Sequence, residues 1–308
     1  MQRSVIGCAA LLALAALAGI AVPARPNVIV TGYAESAILL YTEDGAALDP
    51  IVPPGGMGGV IGPAGITFGP DGCLYVSNQA SVFIGGAPDS IVKVDPSSGD
   101  VMQFITLESG YVPAGLRFGP DGDLYVSHNG GQAAGKGTGS VDRYDGTTGA
   151  FVGSVVTDLT QPTGLLFDSG GNLYVSNFGE GSIVIFDGTS SSTLVSAGSG
   201  GLASPSGLQF GPDGNLHVVD LLLGAVRTYH PRTGAFVGDF VAAGGALNNQ
   251  FPSDLLFDRQ GNLLVADLGS SFTEPDGNIK AFDATGAFVG DFATGILGAS
   301  QVLLTPEP

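Results

Sequence analysis

The sequence predicts an all-β fold: a six-bladed β-propeller of four-stranded antiparallel blades, closed by N- and C-terminal strands that share one blade. Three observations predict it. A segment led by glycine in four copies and by Asp254 in the fifth occurs five times along the chain. Each copy is followed by material for two further short strands. The two chain ends supply complementary parts of a sixth unit. The composition agrees: of 308 residues, 51 are Gly, 19 are Pro and 44% are hydrophobic. That suits short strands and tight turns around a sizeable core, and it excludes disorder. Only 12% of residues are charged, and 28 acidic against 10 basic groups give a formal net charge of −18. Such a surface repels phosphate backbones, which makes nucleic acid and anionic lipid poor partners.

The first strand of each unit is Gly-x-x-Phe. Gly65-Ile66-Thr67-Phe68-Gly69-Pro70-Asp71-Gly72-Cys73-Leu74-Tyr75-Val76-Ser77-Asn78 recurs at Gly115 to Ser127, Gly164 to Asn177, Gly207 to Asp220 and, more loosely, Asp254 to Asp267. The anchors Phe68, Phe118, Phe167, Phe210 and Phe257 are spaced by 50, 49, 43 and 47 residues. A Pro-Asp-Gly or similar turn reverses the chain into the second strand, Leu-Tyr-Val-Ser. The third alternates, as in Ile91-Val92-Lys93-Val94 and Ile183-Val184-Ile185-Phe186, and ends at Asp95, Asp145, Asp187 or Asp283. The fourth is nearly duplicated at Thr148 to Gly153, Thr233 to Gly238 and Thr285 to Gly290. Four strands in 43–50 residues make a propeller blade. A parallel β-helix needs shorter coils, and a two-sheet sandwich does not repeat in this way.

The ends complete the ring. Asn27-Val28-Ile29-Val30-Thr31 matches a second strand and Ile38-Leu39-Leu40-Tyr41 a third, so the first unit lacks its own first strand. Ser300-Gln301-Val302-Leu303-Leu304 supplies it, with Leu304 on period 47 residues after Phe257. The shared blade hides two strand edges. Upstream, Met1 to Ala24 reads as a secretory signal: Arg3 is the basic start, Val5 to Val22 the apolar stretch, and Val22-Pro23-Ala24 the small residues for cleavage. A retained anchor needs about 20 apolar residues, slightly more than this run. Cys8 comes too early for a lipoprotein site. The organisation is then a signal at 1–24, a propeller over 25–304 and a tail at 305–308. The mature chain keeps Cys73 alone, without an internal disulfide and without a membrane span. It is expected to be secreted, periplasmic or on the cell surface.

The pattern Pro-x-Gly-Leu-x-Phe-x-Pro-Asp-Gly-Asn-Leu-Tyr-Val resembles the NHL-repeat propellers, over roughly residues 27–304. It is also similar to the wider six-bladed group with the gluconolactonase-like and virginiamycin B lyase-like families. The ending, Thr305-Pro306-Glu307-Pro308, is similar to the start of a PEP-CTERM sorting signal. Either the chain is truncated before a sorting tail or the match is chance.

The resemblance implies that ligands meet the loops entering strand one and leaving strand two, at one mouth of the channel. For a lactonase-like enzyme it implies a divalent metal held by carboxylate or Asn side chains, some just before the Gly of strand one. Those positions hold Ala64, Ala114, Thr163, Ser206 and Ser253, none a strong ligand, and Asp254 replaces the Gly of the fifth unit. A lyase-like enzyme would use His and Glu near the channel. His217 takes the Tyr slot of strand two and is expected to pack between blades. His230 lies far from the channel, and His128 follows strand two and can face the mouth. There is no Gly-x-Ser-x-Gly elbow, His/Cys cluster or P-loop spacing.

The candidate ligand-binding residues are therefore Asn78, His128, Asn129, Asn177, Asp220, Asp254 and Asp267, with Glu180, Glu274 and Asp276 in the same loops. If a metal is held, Asp220, Asp254 and Asp267 are its ligands and Ca²⁺ the cofactor. The competing reading is that Asn and Asp at strand ends satisfy nearby backbone N–H groups. Asp71, Asp121 and Asp213 are turn formers on the opposite side, and Cys73 is incidental. The mouth is expected to be acidic and polar. The chain reads as a monomeric, exported, non-enzymatic binding or scaffold module for a protein, peptide or carbohydrate. The alternative is a metal-dependent lactonase-like hydrolase or a lyase-like enzyme.

Overall fold

Each Pro-Asp-Gly turn needs one residue in the left-handed backbone region, where glycine carries no Cβ penalty. Gly72, Gly122 and Gly214 take it, with φ of 79°, 84° and 75°. The turn aspartates cap the reversal: Asp71 and Asp121 accept from the backbone N–H two residues on. The computed structural model that shows this describes residues 27–84, 87–108, 110–130, 139–248 and 251–306. The expected signal at 1–24 lies outside them.

Blade 1 begins with β1 (Val28–Gly32) and β2 (Ala37–Tyr41). Blade 2 is β3 (Pro63–Phe68), β4 (Leu74–Asn78), β5 (Ser90–Val94) and β6 (Val101–Thr106). Blade 3 is β7 (Tyr111–Phe118), β8 (Leu124–Gly130), β9 (Gly139–Tyr144) and β10 (Phe151–Leu159). Blade 4 is β11 (Pro162–Phe167), β12 (Leu173–Asn177), β13 (Ser182–Phe186) and β14 (Ser191–Val195). Blade 5 is β15 (Pro205–Phe210), β16 (Leu216–Asp220), β17 (Ala225–Tyr229) and β18 (Phe236–Val241). Blade 6 is β19 (Pro252–Phe257), β20 (Leu263–Asp267), β21 (Gly277–Phe282) and β22 (Phe288–Ile296). Finally β23 (Ala299–Leu304) returns to blade 1 in the order β2-β1-β23.

The strands pair antiparallel throughout, in the order expected for a six-bladed propeller. Closure is in the register the sequence implies: Ile29 faces Leu303 and Val30 faces Val302. Asn27 and Thr305 exchange two further bonds, each 2.9 Å. One blade departs in detail. Among the described residues blade 1 has three regular strands, and its outer place is filled by a segment held through bridges Ile38–Val52 and Tyr41–Ala47.

Six apolar clusters form the core, each drawn from two adjacent blades. Second strands are therefore buried on both faces, while outer strands are largely exposed. The Tyr slot of strand two packs edge-on against the anchor Phe of the next blade: Tyr75 on Phe118 at 4.8 Å, Tyr125 on Phe167 at 5.0 Å and Tyr174 on Phe210 at 5.3 Å. His217 does the same on Phe257 at 4.9 Å, and its Nε2 lies 3.1 Å from the turn carboxylate of Asp213. Cys73 is fully buried and disulfide-bonded. The expectation of no disulfide concerned the chain after loss of its first 24 residues. No helix among the described residues is long and apolar enough to cross a membrane.

Candidate functional site

The innermost strands β3, β7, β11, β15, β19 and β23 pack side by side around the channel. They approach closely because the first-strand glycine has no Cβ. A Cβ on Gly65, Gly115 or Gly164 would strike the carbonyl oxygen of Ala114, Thr163 or Ser206 in the next blade. The residue before that glycine lines a cavity of about 210 Å³ at the channel mouth, in all six blades: Ala64, Ala114, Thr163, Ser206, Ser253 and Ser300. Ser300 is the sixth member, supplied by the C-terminal strand. Asn27 and Thr305 sit at the other ends of their strands, so both described termini lie on the face away from this mouth.

The hydroxyls at the mouth are already committed. Ser206 donates to the Ser253 carbonyl at 2.8 Å, Ser253 to the Ser300 carbonyl at 2.8 Å and Ser300 to the Pro63 carbonyl at 2.9 Å. Thr163 donates to the Pro205 carbonyl at 3.3 Å. Where the mouth residue is alanine, the hydroxyl comes from strand two instead: Ser77 donates to the Ala114 carbonyl and Ser127 to the Thr163 carbonyl, both at 2.6 Å. Every junction between blades thus carries one hydroxyl-to-carbonyl bond. Ser176, in a blade where Thr163 already serves, is left with a buried Oγ and no partner.

The strand-two ends are likewise engaged, each with the loop leading into its own blade. Asn78 accepts from the Ile61 N–H at 3.1 Å and donates to the Gly59 carbonyl at 2.6 Å. Asn177 accepts from the Thr160 N–H at 2.7 Å. Asp220 accepts from the N–H groups of Ala203 and Ser204 and from Arg227 Nε at 3.0 Å. Asp267 accepts from the N–H groups of Phe251 and Gly269 through Oδ1, its Oδ2 is buried without a partner, and burial raises its pKa. The four side chains are tied into four separate blades. Among the described residues no three His, Cys, Asp or Glu groups form a metal-binding cluster.

His128 turns into its own blade instead of toward the mouth. Its Nε2 lies 3.2 Å from the Tyr144 hydroxyl and 3.6 Å from the Asp142 carboxylate, and its ring meets Tyr111 edge-on at 5.5 Å. Burial holds its pKa down to about 4, against the pull of Asp142. Asn129 does line the mouth cavity, and its Oδ1 is buried without a partner.

Asp254 occupies the glycine position of blade 6, beneath the mouth. It shares a cavity of about 10 Å³ with Arg117 of the opposite blade and with Gln301, room for one water at most. Its Oδ2 accepts from the Val302 N–H at 3.2 Å. Burial raises its pKa to about 6, with Arg117 pulling the other way. Arg117, Gln209 and Gln301 stitch neighbouring blades by bonds to backbone groups. Sequence reasoning singled out neither Arg117 nor Gln301, because the pattern leaves those positions variable.

Around the mouth, exposed apolar side chains stand beside exposed acidic ones, among them Glu180, Glu274 and Asp276, where the sequence suggested an acidic and polar ring. Tyr33 forms an aromatic wall with Phe83 and Phe272 at ring distances of 5.1 and 5.5 Å. Its hydroxyl donates to Gln79 at 2.6 Å. Phe272 is 51% exposed and Leu222 62% exposed. Asn78, Asn177, Asp220 and Asp267 point inward to the backbone, and apolar loop residues share the solvent-facing rim with the exposed carboxylates. The signal was present: Val82-Phe83-Ile84 and Leu221-Leu222-Leu223 are apolar runs directly after second strands.

No protein-family model and no curated protein matches this sequence. Solved structures do match. A chain from the crystal structure of a nidogen/laminin complex aligns with TM-score 0.69 at 17% identity, over 91% of this chain and 98% of that one. Virginiamycin B lyase from Staphylococcus aureus aligns with TM-score 0.58 at 14% identity, over 86% and 83%. A gluconolactonase from Xanthomonas campestris aligns with TM-score 0.59 at 18% identity, over 78% and 79%. The chain is a six-bladed β-propeller of the architecture shared by nidogen-type, virginiamycin B lyase and gluconolactonase propellers.

Proposed function

We propose that this chain is an exported, non-enzymatic binding module that takes its ligand at the channel mouth. One observation carries the reading. The mouth is built from small side chains whose hydroxyls are spent on holding blades together, beneath an apolar and aromatic rim. Such a surface offers contact and shape, and its polar groups are committed to the scaffold. A hard cation needs several converging oxygens, and Asn78, Asn177, Asp220 and Asp267 serve backbone N–H groups in separate blades.

The enzymatic alternative has one observation on its side. Asp254 lies beneath the cavity and titrates near 6, a range that suits a general base. Two measurements decide between the readings: thermal melting with and without millimolar Ca²⁺, and hydrolysis of a panel of simple lactones. The binding reading expects an unchanged melting curve and no hydrolysis. A clear rise in melting temperature with Ca²⁺ together with lactone turnover would overturn it.

A further inference from the structure

We infer that the mouth binds a cationic peptide segment carrying one large apolar side chain; this rests on the binding-module reading above. Three features of the mouth converge on that chemistry.

The first is apolar. Phe272 and Leu268 of blade 6, Leu221 of blade 5 and Tyr33 of blade 1 flank the cavity. Its volume of about 210 Å³ suits a single aromatic or branched side chain. Further exposed apolar side chains stand beyond the cavity, with Phe83 of blade 2 packed edge-on against Tyr33, and Leu222 and Leu223 in the loop of blade 5. A small molecule would leave most of that rim in water, whereas a peptide lying across it would cover several blades.

The second is hydrogen-bond polarity. Thr163, Ser206, Ser253 and Ser300 have each given their one proton to a neighbouring carbonyl. What they present to the cavity is acceptor lone pairs. Asn129 adds a buried Oδ1 that accepts from nothing. A matching ligand must bring donors, as backbone N–H, ammonium and guanidinium groups do.

The third is charge. Glu180, Glu274 and Asp276 are exposed in the loops of this face. Among the described residues, the cations on this side are committed within the fold: Arg227 is buried and bonded to Asp220 and Asp239, Lys280 is bonded to Asp291, and Arg117 is bonded to the Leu165 carbonyl beneath the mouth. Lys93 and Arg143 pair with turn aspartates at the opposite face, where Arg232 and Arg259 also lie. The mouth therefore attracts positive charge at close range, and the effect is weakened by salt.

The test is a selection from displayed random peptides of about a dozen residues against the whole folded protein. A counter-screen uses the rim variants Phe272→Ser and Leu222→Ser. Both side chains are exposed, so the variants keep the fold, and circular dichroism checks this. The inference expects enriched peptides with Lys or Arg flanking a Phe, Tyr, Leu or Trp. Their affinity should fall about tenfold on the rim variants and about tenfold between 50 and 300 mM NaCl. Neutral or acidic winners that still depend on the rim would overturn the cationic assignment and leave the binding reading standing. Winners indifferent to the rim, or no enrichment, would overturn the peptide inference itself. Ca²⁺-dependent melting with lactone turnover would remove the reading beneath it.

Discussion

Replacing Asp254 with Asn isolates the one carboxylate among the described residues that lines the channel. In the folded chain its pKa rises from the ordinary 3.8 to about 6, because burial outweighs the attraction of Arg117. A shift of about two units corresponds to roughly 3 kcal/mol between the protonation states. The proton is bound more tightly in the fold than in the unfolded chain. The stability this group contributes is therefore complete below pH 4 and lost as pH rises through 6. Asparagine cannot titrate. The difference in unfolding free energy between wild type and Asp254→Asn should change by about 2 kcal/mol between pH 4.5 and 7.5, with wild type falling behind as pH rises. Urea unfolding of both proteins at several pH values measures it. Every other titrating group is common to the two proteins and cancels in the difference. Adding Arg117→Met to both should move the transition to higher pH, since the opposing cation is gone. A flat difference across this range would refute the reasoning, because it would mean that Arg117 keeps Asp254 ionised throughout.

Two further outcomes follow from the junction chemistry and from the buried imidazole. Ser77→Ala removes a donor to the Ala114 carbonyl and an acceptor for the Gly65 N–H, and should cost about 2–3 kcal/mol. Ser176→Ala deletes a hydroxyl that bonds to nothing, and should leave stability within about 0.5 kcal/mol of wild type or raise it; equal losses in urea unfolding of the two variants would contradict the junction assignment. His128 should stay neutral in an NMR titration until pH approaches 4. Since its folded pKa lies below the unfolded value, it withdraws stability as pH falls from about 6.5 towards 4. A midpoint near 6.5 would place the ring in solvent.

The architecture was legible because the repeat states it several times over. Glycine, anchor phenylalanine, turn and Tyr slot recur in order, so one misread element is corrected by the others. Even the His217 exception was readable, since an imidazole offers the same flat ring and polar tip as tyrosine. The blade count followed from phase: Ile29 and Leu303 each had one place in the pattern, and the structure pairs them. The outer strand of blade 1 was not legible in the same way. Its sequence carries no copy of the Thr-Gly-Ala-Phe-Val motif, and two bridges stand in for a regular strand.

The mouth was harder to read for a reason that lies in the chemistry. Asn or Asp at a strand end looks the same in sequence whether its oxygen accepts from its own loop or reaches a ligand. Asn78, Asn177, Asp220 and Asp267 all take the first course. Their neighbours then decide what faces solvent, and apolar runs such as Val82-Phe83-Ile84 belong to different blades that only the closed ring brings together. The hydroxyl exchange shows the same logic one layer down. Ser77 and Ser127 sit on second strands opposite Ala64 and Ala114, while Ser206 and Ser253 sit at the mouth opposite Val219 and Ala266. A single position viewed alone would look free to vary. Viewed as a pair across a junction, it has a fixed duty, to supply one proton to the next blade. Because that duty falls on the mouth itself in four of the six blades, the groups placed best for chemistry are bound into the scaffold, and recognition is left to the rim.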